Sequence, residues 1–319
     1  MEFVKIVFEA FDKILNKSQN EVVEIEGEEN LSILTDIQYS NTKKFNALLD
    51  IYYKKNNIEH LPVLIYIHGG GFIAGGKEYR TAIAKWLAVQ GYFVVNVNYG
   101  LSPECVFPQQ FKHLAAAMKW IKKNQKNYKL NLEKVVVAGD SAGAYYASML
   151  ACISNSAKLQ EKLKIGLPFH FAGVVLNCGL YDLKSVLNRR LAFDLNSKIF
   201  EMYTGINRDE VEHYKYKDYC SPLTYISKKF PPTFIIYSEK DILCMGQAER
   251  LIKKLKEKDV YFESFCSENP FVNHCFSLEW KTKQAQRANY LQSLFLQNIL
   301  NNSLPLKMSE AEKGIHEKM

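Results

Sequence analysis

Residues 134–152 read Lys-Val-Val-Val-Ala-Gly-Asp-Ser-Ala-Gly-Ala-Tyr-Tyr-Ala-Ser-Met-Leu-Ala-Cys. Lys134–Ala138 is a short apolar run of strand character, and the residues after Gly143 read as a helix through Cys152. The pentapeptide Gly139-Asp140-Ser141-Ala142-Gly143 joins them. Such a pentapeptide is weak alone. Between a strand and a helix it fits a nucleophile elbow, where glycines allow a sharp turn and hold the Ser141 hydroxyl above a sheet edge. The plainer reading is a tight turn with an idle serine.

Outward from this point, strand and helix alternate. Strands are expected at Ser32–Tyr39, Phe45–Tyr53, Leu61–Ile67, Tyr92–Val97, Phe171–Asn177, Pro231–Ser238 and Val260–Phe265. Helices are expected at Thr81–Val89, Gln109–Lys122, Gly246–Lys258 and Leu278–Ile299. The alternation predicts the α/β class, a mostly parallel sheet covered on both faces. Tyr181–Tyr225 is polar and aromatic and too long for a simple crossover, so it reads as a helical insertion. The expected division is 1–30 as an N-terminal cap helix region and 31–180 as the first part of the core. A cap insertion at 181–228, the second part of the core at 229–303 and a loose polar tail at 304–319 follow. Val4, Val7, Phe8, Phe11 and Leu15 recur at helical spacing in the first segment. They suit an amphipathic helix packed on the cap, or one making weak contact with a membrane surface.

Composition narrows the function classes. The 319 residues carry a net charge of +7, with 47% hydrophobic and 24% charged residues. Basic residues are spread out and interrupted by acids, so nucleic-acid binding is not expected. No run is long enough for stable membrane insertion. Seven widely spaced cysteines without a C-x-x-C pair read as free thiols in a reducing, cytoplasmic compartment. No metal or organic cofactor is implied.

The second motif is His68-Gly69-Gly70-Gly71-Phe72, directly after a strand. Consecutive glycines let backbone N–H groups face a substrate oxygen that gains charge. Gly70 and Gly71 are the expected oxyanion donors, with Ala142 as the third. His68 reads as a structural residue of that loop rather than a base. A serine nucleophile needs a base, and the base an orienting acid, in the chain order Ser, acid, His. His170 comes too early, His213 falls in the insertion and His316 in the tail. His274, between the last strand and the last helix, is the expected base. Asp241 is the expected acid, with Glu239 and then Asp182 as alternatives. Phe8, Phe11, Tyr145, Tyr146, Tyr181, Met202 and Tyr203 are candidates to line a pocket, or plain packing.

With these residues in view, the sequence resembles the hormone-sensitive-lipase-like family of esterases. The carriers are HGGGF at 68–72, GDSAG at 139–143, Asp241-Ile242-Leu243, Asn273-His274-Cys275-Phe276 and Tyr99-Gly100-Leu101-Ser102-Pro103-Glu104. The resemblance implies the α/β-hydrolase fold with a small helical cap, and carboxylesterase activity on a short-chain, acetyl-like ester. It also implies that Asp140 supports the glycine loop. Gly100 stands where the family usually has arginine, so one loop-anchoring ion pair is expected to be missing. Ala144 replaces a frequent glycine and Ile242 a frequent proline. The alternatives are an arylformamidase-like amide hydrolase and a non-catalytic ligand-binding homologue. The partner expected is a small-molecule ester; a homodimer is compatible with the sequence.

Overall fold

The computed structural model describes residues 24–42, 45–56, 59–183, 185, 195–304 and 316–318, together with residues 6, 9 and 10. The amphipathic helix expected near the N-terminus, with Phe8 and Phe11, lies almost wholly outside the described residues.

Among the described residues nine strands form one sheet: β1 (Leu31–Gln38), β2 (Leu48–Lys54), β3 (Leu61–Ile67), β4 (Phe93–Val97), β5 (Leu130–Asp140), β6 (Gly173–Asn177), β7 (Thr233–Ser238), β8 (Phe262–Ser267) and β9 (His316–Lys318). Their order is β1-β2-β4-β3-β5-β6-β7-β8-β9. β2 runs antiparallel to both β1 and β4; the remaining pairs are parallel.

Helices α1 (Thr81–Val89), α2 (Gln109–Lys123), α3 (Ala142–Ser154), α4 (Ala157–Leu163), α5 (Leu195–Thr204), α6 (Gln247–Glu257) and α7 (Lys283–Leu300) accompany it. The central strands are apolar on both sides because both faces are covered. Side chains alternate across β3: Val63, Ile65 and Ile67 join the core beneath α2, α3 and α6, while Leu64 and Tyr66 join the core beneath α1 and α7.

The chain departs from the sequence expectations at several ends. α7 starts at Lys283 rather than Leu278, because the Thr282 side chain caps it by accepting the Ala285 N–H at 3.1 Å. The apolar Leu278 had extended the helical pattern backwards; Phe276–Leu278 is a separate 3-10 turn. α4 was not foreseen. It is a seven-residue helix capped by Ser156. The tail expected to be loose contributes β9, which pairs with Ser264–Cys266 of β8.

The topology places the site. β4 lies on one side of β3 and β5 on the other, so the connections leaving the carboxyl ends of β3 and β5 part at that point. Open α/β sheets bind ligands at such a switch point. The glycine loop leaves β3, and Ser141 leaves β5. The candidate acid and base follow β7 and β8.

Within residues 181–228, α5 and a 3-10 turn at Arg208–His213 are seen. The ring of Tyr203 stacks on Phe72 of the glycine loop at 4.2 Å, and its hydroxyl donates to that of Tyr145 at 3.1 Å. The Tyr145 hydroxyl in turn donates to the Cys220 carbonyl at 2.8 Å. Tyr145, Tyr146, Tyr181 and Tyr203 are all essentially fully buried, and Met202 packs on Ile73. These candidates for pocket lining are packed in the interior.

Candidate active site

Two backbone approaches create the elbow. A methyl group on Gly143 would run into the Ile67 carbonyl of the neighbouring strand, and one on Gly139 into the Gly143 backbone. Glycine at both positions therefore lets helix α3 start directly against the sheet. Ser141 itself sits at φ 52°, ψ −118°, a backbone conformation that costs about 1–3 kcal/mol for a non-glycine residue. Its N–H donates to the Asn177 carbonyl at 2.8 Å, which fixes the turn.

Ser141, His274 and Asp241, far apart in the chain, meet here. The His274 Nε2 lies 2.8 Å from the Ser141 Oγ, and its Nδ1 lies 2.8 Å from the Asp241 Oδ2. The other carboxylate oxygen of Asp241 accepts the N–H groups of Leu243 and Cys244 at 3.0 and 2.9 Å. Burial alone would raise the Asp241 pKa. His274 and the two backbone donors outweigh it and hold the carboxyl below its usual range.

The alternatives lie elsewhere. The Glu239 side chain is exposed, and Asp182 pairs with Arg250 at 3.3 Å. His170 and His213 are exposed.

The glycine loop is built to keep donors free. Among the described residues no protein acceptor takes the N–H of Gly70, Gly71 or Ala142. Gly70 and Gly71, like Ser141 and His274, are only half-buried. The Gly69 N–H, by contrast, donates to the Asp140 Oδ2 at 3.1 Å. Asp140 thus supports the loop, as the resemblance implied. Gly70 has φ 116°, a conformation only glycine adopts easily.

Arg80 anchors the Asp140 carboxylate through an ion pair. Its Nε and Nη2 donate to the two oxygens of Asp140 at 2.8 and 2.7 Å. Tyr66 adds its hydroxyl to the same carboxylate at 3.1 Å. Burial pushes the Asp140 pKa up; the Arg80 charge and these hydrogen bonds more than reverse it. Sequence reading missed Arg80. The available signal was its place directly before α1, where a cation opposes the helix dipole unless an acid neutralises it. At Gly100, meanwhile, the space a side chain would need is filled by Cys105 and His113, and the Gly100 N–H donates to the His113 Nδ1 at 3.1 Å.

Asn273 was missed as well. Its Oδ1 accepts the His274 N–H at 2.8 Å and the Ile242 N–H at 3.3 Å. It therefore ties the loop carrying the base to the loop carrying the acid. A proline at 242 would have no N–H to offer.

His68 is structural. It stacks on Tyr99 at 4.4 Å, and its Nδ1 lies 2.7 Å from the Gly69 carbonyl. Burial lowers the pKa of His68 and of His113 to about 4. Unfolded, both would protonate near 6.5, so between these values the unfolded chain binds more protons and stability rises with pH. Their contribution is complete above pH 6.5 and lost as pH falls towards 4. Asp140 and Asp241, whose folded pKa values are depressed, lose theirs only below the ordinary carboxylate range. The urea midpoint is therefore expected to fall between pH 6.5 and 5, above the range in which Asp140 and Asp241 titrate. A flat midpoint over that interval would contradict the neutral buried imidazoles.

With this geometry, comparison with known proteins places the chain. The BD-FAE family profile matches residues 49–255, more than half of it. The chain belongs to the BD-FAE family. Curated relatives of this BD-FAE member include two proteins named acetyl esterase, from Salmonella schwarzengrund (strain CVM19633) and Salmonella choleraesuis (strain SC-B67). They are 32% and 33% identical over 186 and 185 residues, which is 57% and 56% of this chain and 55% of each relative. The match thus spans about half the length of those relatives.

The BD-FAE member superposes on esterase B of Lactobacillus rhamnosis with TM-score 0.80 at 22% identity, covering 94% of this chain and 95% of that one. It superposes on a hyperthermophilic esterase of Pyrobaculum calidifontis with TM-score 0.68 at 24% identity, covering 95% and 94%. The fold is the α/β-hydrolase fold, and the resemblance to the hormone-sensitive-lipase-like group holds. Among the described residues no helix is long and apolar enough to cross a membrane.

Proposed function

We propose that the chain is a serine carboxylic-ester hydrolase that acts by two-step acyl transfer. The observation that carries this reading is the unbroken relay Ser141–His274–Asp241, with both links at 2.8 Å. In the first step the His274 Nε2 takes the Ser141 proton as Oγ attacks the ester carbonyl. Asp241 at Nδ1 selects the productive tautomer and favours the imidazolium that forms. The charge that develops on the carbonyl oxygen is taken up by the free N–H groups of Gly70, Gly71 and Ala142. The alcohol leaves with the proton from His274. Water, activated by the same imidazole, then releases the acid.

The relay also argues against a non-catalytic ligand-binding role, for which none of these alignments is needed. The names of the Salmonella relatives support a short acyl group, acetyl first. We read residues 181–228 as the cap over this site, supported by the contact of Tyr203 with Phe72. The seven buried free thiols support a reducing, cytoplasmic setting.

The test is a chain-length series of p-nitrophenyl esters run beside an N-formyl anilide. Turnover highest with acetyl or butyryl ester and negligible with the anilide is expected. A preference for the anilide would reassign the enzyme as an amide hydrolase.

Asn273 supplies a finer test. Asn273→Ala should lower kcat about tenfold with KM nearly unchanged, because loosening the base by a fraction of an ångström weakens proton transfer but not binding. Equal loss in KM would mean that Asn273 contacts substrate instead.

A further inference from the structure

Beside the base stand two thiols that the proposed reaction does not use. One ring nitrogen of His274 and the sulfur atoms of Cys178 and Cys275 all lie within 4.8 Å of one another. Cys178 directly follows β6 and Cys275 follows the base, each in the left-handed region at φ 49° and 55°. Both are buried free thiols. In a tetrahedral zinc site, with Zn–S near 2.3 Å and Zn–N near 2.0 Å, ligand atoms are about 3.5–3.8 Å apart. The three donors, all within 4.8 Å of one another, can close on that spacing by small side-chain shifts. Two sulfurs and an imidazole select zinc-like cations over magnesium or calcium.

We propose that Cys178, Cys275 and His274 bind a thiophilic divalent cation, Zn²⁺ foremost, and that its capture of His274 switches off Ser141. Binding releases the two thiol protons to solvent and forms two Zn–S bonds; no electron transfer is involved. The inhibitory consequence rests on the esterase reading, whereas the binding itself does not.

The experiment follows Zn²⁺ binding by equilibrium dialysis under a non-chelating reductant, with p-nitrophenyl acetate hydrolysis measured alongside. Co²⁺ serves as a spectroscopic stand-in. One Zn²⁺ per chain, loss of hydrolysis restored by EDTA, and a thiolate-to-cobalt charge-transfer band in the wild type are expected. Cys178→Ala and Cys275→Ala should each weaken Zn²⁺ binding at least about tenfold, while Cys244→Ala should not. That last variant separates this cluster from the neighbouring one of Asp241, Cys244 and His274. Absence of the cobalt band, unweakened binding in both cysteine variants, or bound Zn²⁺ without inhibition would overturn the proposal. Cysteine-dependent binding by a protein with no ester turnover at all would instead remove the esterase reading and leave the cation site standing.

Discussion

Asp241→Asn is expected to lower kcat for a p-nitrophenyl ester by about four orders of magnitude, with KM within a few-fold of wild type. The asparagine side chain has nearly the same shape, so the loop that carries it should persist. Its amide oxygen can still accept the N–H groups of Leu243 and Cys244 that now hold the carboxylate. What changes is the side facing His274. An amide NH₂ presented to Nδ1 favours the tautomer whose proton sits on Nε2, the atom that must receive the Ser141 proton. It also removes the negative charge that stabilises the imidazolium. Steady-state kinetics with circular dichroism as a folding check would decide the matter. A loss below tenfold would mean that Asp241 is a structural partner of His274 only, and that another carboxylate supports the base.

The second large effect concerns stability. Arg80→Met should destabilise the protein by about 3–5 kcal/mol, since Asp140 would be left as an uncompensated buried charge. Both partners are nearly inaccessible, Arg80 at 5% and Asp140 at 1% exposure. The double variant Arg80→Met, Asp140→Leu should recover much of that stability, because the unpaired charge is gone. It should not recover activity. The Gly69 N–H and the Tyr66 hydroxyl would both lose their acceptor, and the glycine loop its anchor. Urea denaturation of the three proteins measures the first point and kcat the second. If Arg80→Met alone were as stable as wild type, the ion pair would not be what holds the loop.

The parts that sequence reading found are those with a local signature. β3 and α1 appear over the residues expected, because a continuous apolar run ending in glycines and a short amphipathic stretch each carry their own boundaries. The elbow was legible because its two glycines are demanded by backbone approach within a few residues. Ser141, Asp241 and His274 could be nominated from chain order and strand ends, and the structure brings them within hydrogen-bonding distance. Arg80 and Asn273 were not legible. Arg80 meets Asp140 across 60 positions, and Asn273 meets the Ile242 N–H across 31. Neither contact leaves a pattern along the chain. Ile242 was read as a missing proline, when the N–H it retains is the feature that the structure uses. α4 and β9 were too short for periodicity to reveal, although Ser156 with its cap to Leu159 offered a hint for the former.

The central claim is that Ser141 is the nucleophile, and an active-site-directed p-nitrophenyl phosphonate tests it most directly. Release of one equivalent of p-nitrophenolate per chain, one added phosphonyl group in the intact mass, and its location on Ser141 by peptide mapping are the results expected, with no adduct on Ser141→Ala. A stoichiometric adduct on any other residue, or full ester turnover by Ser141→Ala, would contradict the account.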